Sequence, residues 1–256
     1  MLKALLWDVD GTLAETERDG HRVAFNAAFE AEGLSWRWDE AYYGELLRIT
    51  GGRERILHDM ASRTDAPTLA QERLDLAARL HRQKNTRYAE IVDGGGIALR
   101  EGVLELMQQC RERGLRMGIA TTTSRSNVEA LLRRHIGAGW AAWFETIVCG
   151  EDTSRKKPDP EVYERAVAGL GIAPLQAVAI EDSPGGVAAA VAAHVPVVVT
   201  RSVYFADVPV HGAIAIGPGL HRREGWRPEP APAGQASVGL DDLVDWHRRM
   251  ELVSGD

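Results

Sequence analysis

The sequence predicts an α/β fold in which a doubly wound parallel-sheet core is interrupted by an all-helical insertion, and three observations carry that expectation. Residues 2–7 form a short apolar run that stops at an acidic, glycine-containing turn, as a buried strand does at the edge of a sheet. Residues 16–88 have helical periodicity and no convincing buried strand. From Gly102 onward, helical and short apolar segments alternate, which predicts parallel strands joined by right-handed crossovers.

In the insertion, Phe25 and Phe29 stand at i, i+4 beside Ala24 and Ala28, and Gly33 follows as a left-handed helix cap. Asp39 is placed to cap a second helix running through Tyr42 and Leu46 to the breakers Gly51 and Gly52. Thr68 with Gln71 offers a capping box for a third, long helix. Trp36 and Trp38 are expected to pack inside this unit, given the area each buries. Glycines 94–96 close it. The expected division is a core of residues 1–16 and 94–256 with a cap of residues 17–93.

The core then reads as a helix ending at Gly114, strand 115–120, helix 126–134, strand 146–149 and helix 160–170. Strand 177–180, helix 184–193 and strand 195–199 follow. Beyond Thr200 the pattern weakens; residues 217–234, rich in Pro, Gly and charge, are expected to be mostly loop, and residues 241–250 a closing helix.

A chain of 256 residues, 45% hydrophobic and 26% charged, has enough material for a full core. Its net charge of -7 argues against a general nucleic-acid or membrane surface, so an anionic ligand must meet local positive charge. Cys110 and Cys149 lie far apart with no C-x-x-C spacing, which indicates neither a disulfide framework nor a zinc site. The first strand begins too early for a secretory leader, and no apolar stretch approaches membrane-spanning length. A cytoplasmic protein, acting as a monomer, is expected.

The strand ends carry the chemistry. Residues 8–13 read DVDGTL, delivering Asp8 to the crevice where open α/β sheets bind ligands. Asp8 is the candidate nucleophile for phosphoryl transfer and Asp10 the candidate general acid/base, while Gly11 lets amide groups approach an anion. Taken alone, the tripeptide is equally an ordinary Asp-Gly turn. After the second strand, Thr121, Thr122, Thr123 and Ser124 offer hydroxyls and helix-start N–H groups to phosphate oxygens; alone, such a run is a helix cap. Lys157, in RKKPDPEVY, would neutralise charge on the transferring group. Glu181 and Asp182 are hard oxygen donors suited to Mg²⁺. The ion would be held by the Asp8 carboxylate, the Asp10 backbone carbonyl and Asp182, with Glu181 close by or acting through water. Together the cation and lysine offset the repulsion between several carboxylates and a phosphate dianion.

This order of motifs resembles the haloacid dehalogenase superfamily of phosphatases and mutases over most of the chain. The longer strings YGELLRITGGRERI, ATTTSRSNV, KKPDPEVY and AIEDSPGGV look like its CbbY-type branch of sugar phosphatases, associated with Rubisco and the Calvin cycle. The resemblance gives Asp8, Asp10, Thr121, Lys157 and Asp182 the roles above. It implies a Rossmann-like core, a phospho-Asp8 intermediate, Mg²⁺ as cofactor, and a small phosphorylated sugar as partner, xylulose 1,5-bisphosphate first among them. It also assigns Glu17, His21, Thr50, Gly51, Gly52 and Arg53 to the substrate-facing surface of the cap. Without it, His21 beside Arg22 reads as a surface histidine. Where the family more often carries lysine, Arg53 offers a bidentate fork, and its cluster with Arg48 and Arg55 suggests a hook for a second phosphate. Rival readings are a β-phosphoglucomutase-type mutase, a phosphoglycolate phosphatase and a catalytically silent binding protein. The G-x-G-x-x-A string at residues 137–142 follows a helix, not a strand, so it fails as a dinucleotide motif, and no P-loop occurs.

Overall fold

A computed structural model describes residues 1–253, so the last three residues of the expected core domain lie outside the described residues. Six parallel strands form one sheet in the order β3-β2-β1-β4-β5-β6: β1 (Ala4–Trp7), β2 (Arg116–Ala120), β3 (Thr146–Val148), β4 (Ala177–Glu181), β5 (Val197–Thr200) and β6 (Ala215–Gly217). The central strand β1 is ALLW, buried throughout. Leu5 and Trp7 enter the apolar cluster on one face and Ala4 and Leu6 the cluster on the other, so both faces must be covered. Helices α5 (Val103–Glu112), α6 (Arg125–Ile136) and α9 (Leu240–Val253) supply the first cluster, and α7 (Glu161–Leu170) and α8 (Pro184–Ala192) the second.

Strand β6 was not anticipated. Its three residues are too short to show a period, and it forms because β5 offers a parallel edge: Val198, Val199 and Thr200 pair with Ala215, Ile216 and Gly217. The loop expected at residues 217–234 contains no helix, but it is not loose. Trp226 is buried across Gly217 and stacks on Trp246 of α9 with ring centroids 4.8 Å apart.

Between β1 and α5 lie a π-helical turn (Glu17–His21) and four α-helices: α1 (Arg22–Ala31), α2 (Glu40–Leu46), α3 (Gly52–Ser62) and α4 (Ala70–Asp93). Phe25, Phe29, Trp36, Trp38 and Tyr43 form their own apolar cluster with Leu76 and Leu80 of α4. Gly33 takes the left-handed conformation (φ 75°) after α1, and Asp39 accepts from the Tyr42 N–H at 2.8 Å to cap α2. Two sequence expectations are corrected here. Gly51 and Gly52 do not merely end a helix; Gly51 caps the start of α3, a helix the sequence reading lacked. The Thr68–Gln71 capping box does not form, because α4 is capped by Leu69 and Thr68 falls one residue outside; Gln71 instead donates to Asp75 at 2.9 Å. Among the described residues, no helix is long and apolar enough to cross a membrane.

Candidate active site

The strand order reverses between β1 and β4, and the crevice outside their carboxyl ends is where open sheets bind ligands. Trp7 pairs with Ile119 of β2 and Ile180 of β4, so the next residue, Asp8, comes level with Ala120 and Glu181. The ladder continues one step further, the Asp8 N–H donating to the Ile180 carbonyl at 3.0 Å. Gly11 turns the chain at φ 81°, and a Cβ there would fall 2.0 Å from Asp182 Oδ2. Glycine is therefore required for the DVDG turn and the acidic turn after β4 to meet.

Lys157 ties these strand ends together. Its ammonium donates to Asp8 Oδ1 and to Glu181 Oε1, both at 2.6 Å, and to the Ala120 carbonyl at 3.0 Å. Tyr163 of α7 also donates to Glu181 Oε1 at 2.6 Å, and the Asp182 N–H to Glu181 Oε2 at 3.2 Å. Carboxylate oxygens of Asp8, Glu181 and Asp182 all lie within 4.8 Å of one another. One lysine against three buried carboxylates leaves excess negative charge, which the proton affinities register. Burial and the Glu181 charge push the Asp8 carboxyl up to about 7 in spite of Lys157. Burial, Asp8 and Glu181 hold Asp182 well above the usual carboxylate range. Burial works against the Lys157 ammonium, but its two carboxylates win and raise it above an ordinary lysine. A compact set of hard oxygen donors with unbalanced negative charge fits a divalent cation such as Mg²⁺.

Asp10 is treated differently. Burial would raise it, yet His21 Nε2 at 2.8 Å and the Thr16 hydroxyl at 2.6 Å, both on its Oδ1, hold it well below the usual range. His21 is not the surface residue its neighbour Arg22 suggested. It is buried, with its ring 4.3 Å from that of Tyr88.

A cavity of about 1030 Å³ opens above these groups, lined on its far side by the helical insertion. Asp8, Asp10, Glu17, His21, Thr50, Gly51, Gly52, Arg53, Thr121, Thr122, Thr123, Lys157 and Asp182 all line it. Glu181 does not; it is sealed beneath, fully buried. Thr121 Oγ1 accepts from the Thr123 N–H at 3.3 Å, bending the chain into α6. On the opposite wall the Tyr43 hydroxyl donates to Glu17 at 2.5 Å and accepts from Arg55 at 2.7 Å, and Arg55 stands 3.6 Å from Glu17. Arg55 is thus buried and engaged, whereas Arg48 and Arg53 are exposed on the cavity wall.

Sequence reasoning missed Thr16, His81 and Lys84. Lys84 is buried in the cavity wall over the rings of Phe25 and Tyr88, and burial pulls its ammonium down to about 8 although Asp10 and Glu17 oppose this. His81, one turn earlier, is drawn down to about 4 by burial and by the charges of Lys84, His21, Arg53 and Lys156. The signal was available: Leu76, Leu80, Lys84 and Tyr88 repeat every four residues, so a lysine occupies the buried stripe of α4.

An aspartate at the end of β1, a bridging lysine and an acidic turn after β4 are the marks of the haloacid dehalogenase-like class of hydrolases. The model of the haloacid dehalogenase-like hydrolase family matches residues 2–194, and the chain belongs to that family. It is similar to Protein CbbY of Rhodobacter capsulatus, 46% identical over 203 residues, or 79% of this chain and 87% of that one. Plasmid-encoded Protein CbbY of Cupriavidus necator is 39% identical over 247 residues, 96% and 97% of the two chains. Among solved structures, a variant of CbbY from Rhodobacter sphaeroides in complex with xylulose-(1,5)bisphosphate superposes with a TM-score of 0.78 at 40% identity, covering 83% of this chain and 92% of that one. By catalytic class the protein is a phosphoric monoester hydrolase.

Proposed function

We propose that this enzyme is a Mg²⁺-dependent sugar phosphatase that converts xylulose 1,5-bisphosphate to xylulose 5-phosphate through a phospho-Asp8 intermediate, with residues 17–93 acting as a cap over the core. The observation that carries the reading is a cavity with two poles. At one end Asp8 and Lys157 face the phosphate to be transferred; at the other, Arg53 and Arg48 stand exposed without an ion pair among the described residues. A bisphosphate has one anionic group for each end. The CbbY relative that binds this sugar supports the assignment.

In the first half-reaction an Asp8 oxygen attacks phosphorus, the phosphorus–sugar oxygen bond breaks, and Asp10 gives its proton to the departing oxygen. Lys157 holds Asp8 Oδ1, and no hydrogen bond from the described residues reaches Oδ2, the oxygen assigned to the attack. His21 and Thr16 hold Asp10 ionised; a phosphate dianion beside it would raise its proton affinity and let it act as the acid. In the second half, Asp10 accepts a proton from water, the oxygen attacks phosphorus, and the bond to Asp8 breaks to release phosphate. Thr121, Thr122 and Thr123 hold phosphate oxygens. Glu181 acts through Lys157, fixing its ammonium from below. Asp8, Asp182 and the Asp10 carbonyl would hold Mg²⁺, which would supply positive charge against the transferring group.

Turnover of a panel of C5 and C6 sugar mono- and bisphosphates, with product analysis, tests the reading. Fastest release of inorganic phosphate from xylulose 1,5-bisphosphate is expected. A second sugar phosphate in place of free phosphate would assign the enzyme as a mutase, and a preference for phosphoglycolate would overturn the bisphosphate assignment.

A further inference from the structure

The loop from β5 to β6 leaves the core and touches the helical insertion. It lies beyond residues 2–194, the span the family model matches. Its base is fixed to the core: the Val203 N–H donates to Glu15 Oε2 at 3.2 Å, and Arg201 donates to the carbonyls of Phe205 and Val208 at 3.0 and 2.8 Å. Arg100 in turn donates to the Arg201 carbonyl at 2.6 Å and to that of Gly11, within the DVDG turn. Its tip is apolar. Tyr204 and Phe205 pack against the aromatic cluster of the insertion, and the Tyr204 ring meets Tyr43 edge-on at 6.0 Å. A Cβ on Gly44 of α2 would come within 3.2 Å of two Tyr204 ring carbons, so the missing side chain makes the seat.

We propose that Tyr204 is a positioning residue: seated on Gly44, it fixes the cap to the core in the arrangement that sets Tyr43 behind the cavity wall and, through Tyr43, the Glu17–Arg55 pair in it. Tyr43 sits behind the cavity wall and joins its parts: one edge packs against Tyr204 and its hydroxyl bonds Glu17 and Arg55, while Gly44 and Tyr204 themselves line the cavity. The seat is weak by construction. The Tyr204 hydroxyl is buried with no hydrogen-bond partner among the described residues, a desolvation cost that water relieves when the seat opens. The contact therefore favours the engaged cap without making it permanent, as a cavity that must admit substrate and release product requires.

The seat does not depend on which substrate the enzyme takes; only its kinetic consequence rests on the phosphatase reading, so the two are read separately. Hydrogen exchange on the ligand-free protein comes first. Tyr204→Ala should speed exchange of α2 amides by at least about threefold while β1 and β4 stay protected. Tyr204→Phe, which removes only the unpaired hydroxyl, should leave α2 as protected as wild type or more so. Should Tyr204→Ala fail to fold, Tyr204→Leu carries the same expectation. Unchanged α2 exchange in the truncated variant overturns the proposal, as does a phenylalanine variant as loose as the truncated one. In kinetics, Tyr204→Ala should raise KM for xylulose 1,5-bisphosphate about tenfold and spare a small aryl phosphate that does not reach the cap. Equal losses on both substrates also overturn it, whereas wild-type protein inert towards every phosphate ester defeats the phosphatase reading and leaves the exchange result standing.

Discussion

The floor and roof of the cavity handle charge in opposite ways. In the floor, Asp8, Lys157 and Asp182 are buried at strand ends or in the loop before α7, and each is set by contacts with the others and with Glu181 beneath. In the roof, Arg48 on the α2–α3 connection and Arg53 in the first turn of α3 stand exposed, and the Glu17–Tyr43–Arg55 group behind them is fixed. The floor crowds buried carboxylates around one lysine; the roof crowds cations instead, with Lys84 and His81 held low by burial and by their positive neighbours. Substitutions in the floor should change turnover of every substrate together with stability, and substitutions at the exposed arginines of the roof should change discrimination alone.

The largest expected effect is that of Asp8→Asn, which removes the nucleophile while nearly preserving its shape. Turnover should fall by more than the ~10²–10⁴-fold that a single acid–base group is worth. The same variant tests the crowding of carboxylates. Because folding raises the Asp8 carboxyl from 3.8 to about 7, the folded chain holds a proton that the unfolded chain releases. This favours folding at low pH, and the advantage is lost as pH rises from about 4 to about 7. Asp10, held low, contributes the reverse: stability present above the ordinary carboxylate range and lost as pH falls below it. In chelator, the Tm of wild type should therefore drop relative to that of Asp8→Asn between about pH 4 and pH 7. A constant difference would show that Asp8 titrates normally.

Lys157→Met should come next, leaving Asp8 and Glu181 buried without their shared cation. A loss of about 3–5 kcal/mol in urea unfolding is expected, with turnover falling as well. Chelation should stop turnover and added Mg²⁺ restore it. Asp182→Ala should raise the Mg²⁺ concentration giving half activity, and an unchanged metal requirement would remove Asp182 from the ligand set.

The difference between floor and roof also governs what could be read from the sequence. Strand ends are legible because a buried parallel strand is a short apolar run, and whatever follows it must lie at the sheet edge; Asp8, Thr121 and Glu181 were placed by that logic alone. The sequence reading puts Asp182 on the ion and Glu181 close by or acting through water, without showing that Glu181 is sealed under Lys157 while Asp182 lines the cavity. That depends on the direction of one turn and on the lack of a side chain at Gly186, where a Cβ would fall 2.0 Å from the Glu181 carboxylate. The roof was less legible. Helix α3 begins at a Gly-Gly pair that reads as a stop, so the depth of Arg55 was hidden, and Lys84 and His81 lie on a helix face whose partner is the distant segment around Asp10. β6 is too short to show a period and depends on the edge of β5, while the Tyr204 loop depends on a contact across more than a hundred residues of sequence, which local periodicity does not encode.

The smallest and most selective effect should come from Arg53. Being exposed and unpaired, it contributes little to folding, and Arg53→Ala should move the urea midpoint by no more than about 0.5 kcal/mol. If it meets the distal phosphate when the cap engages, the variant should lose about 2 kcal/mol in kcat/KM for xylulose 1,5-bisphosphate, the low end for truncating one partner of a charge pair. Part of that loss belongs in kcat, because binding energy at the remote phosphate helps to hold the assembled site. A small monophosphate has nothing to offer Arg53 and should be turned over as before. Arg55 is the control. It is buried between Tyr43 and Glu17, so Arg55→Met should destabilise the cap and slow both substrates. Were Arg53→Ala to slow both equally, the exposed arginine would be shaping the α2–α3 turn instead of reading a phosphate. The roof would then offer no reason to prefer a bisphosphate.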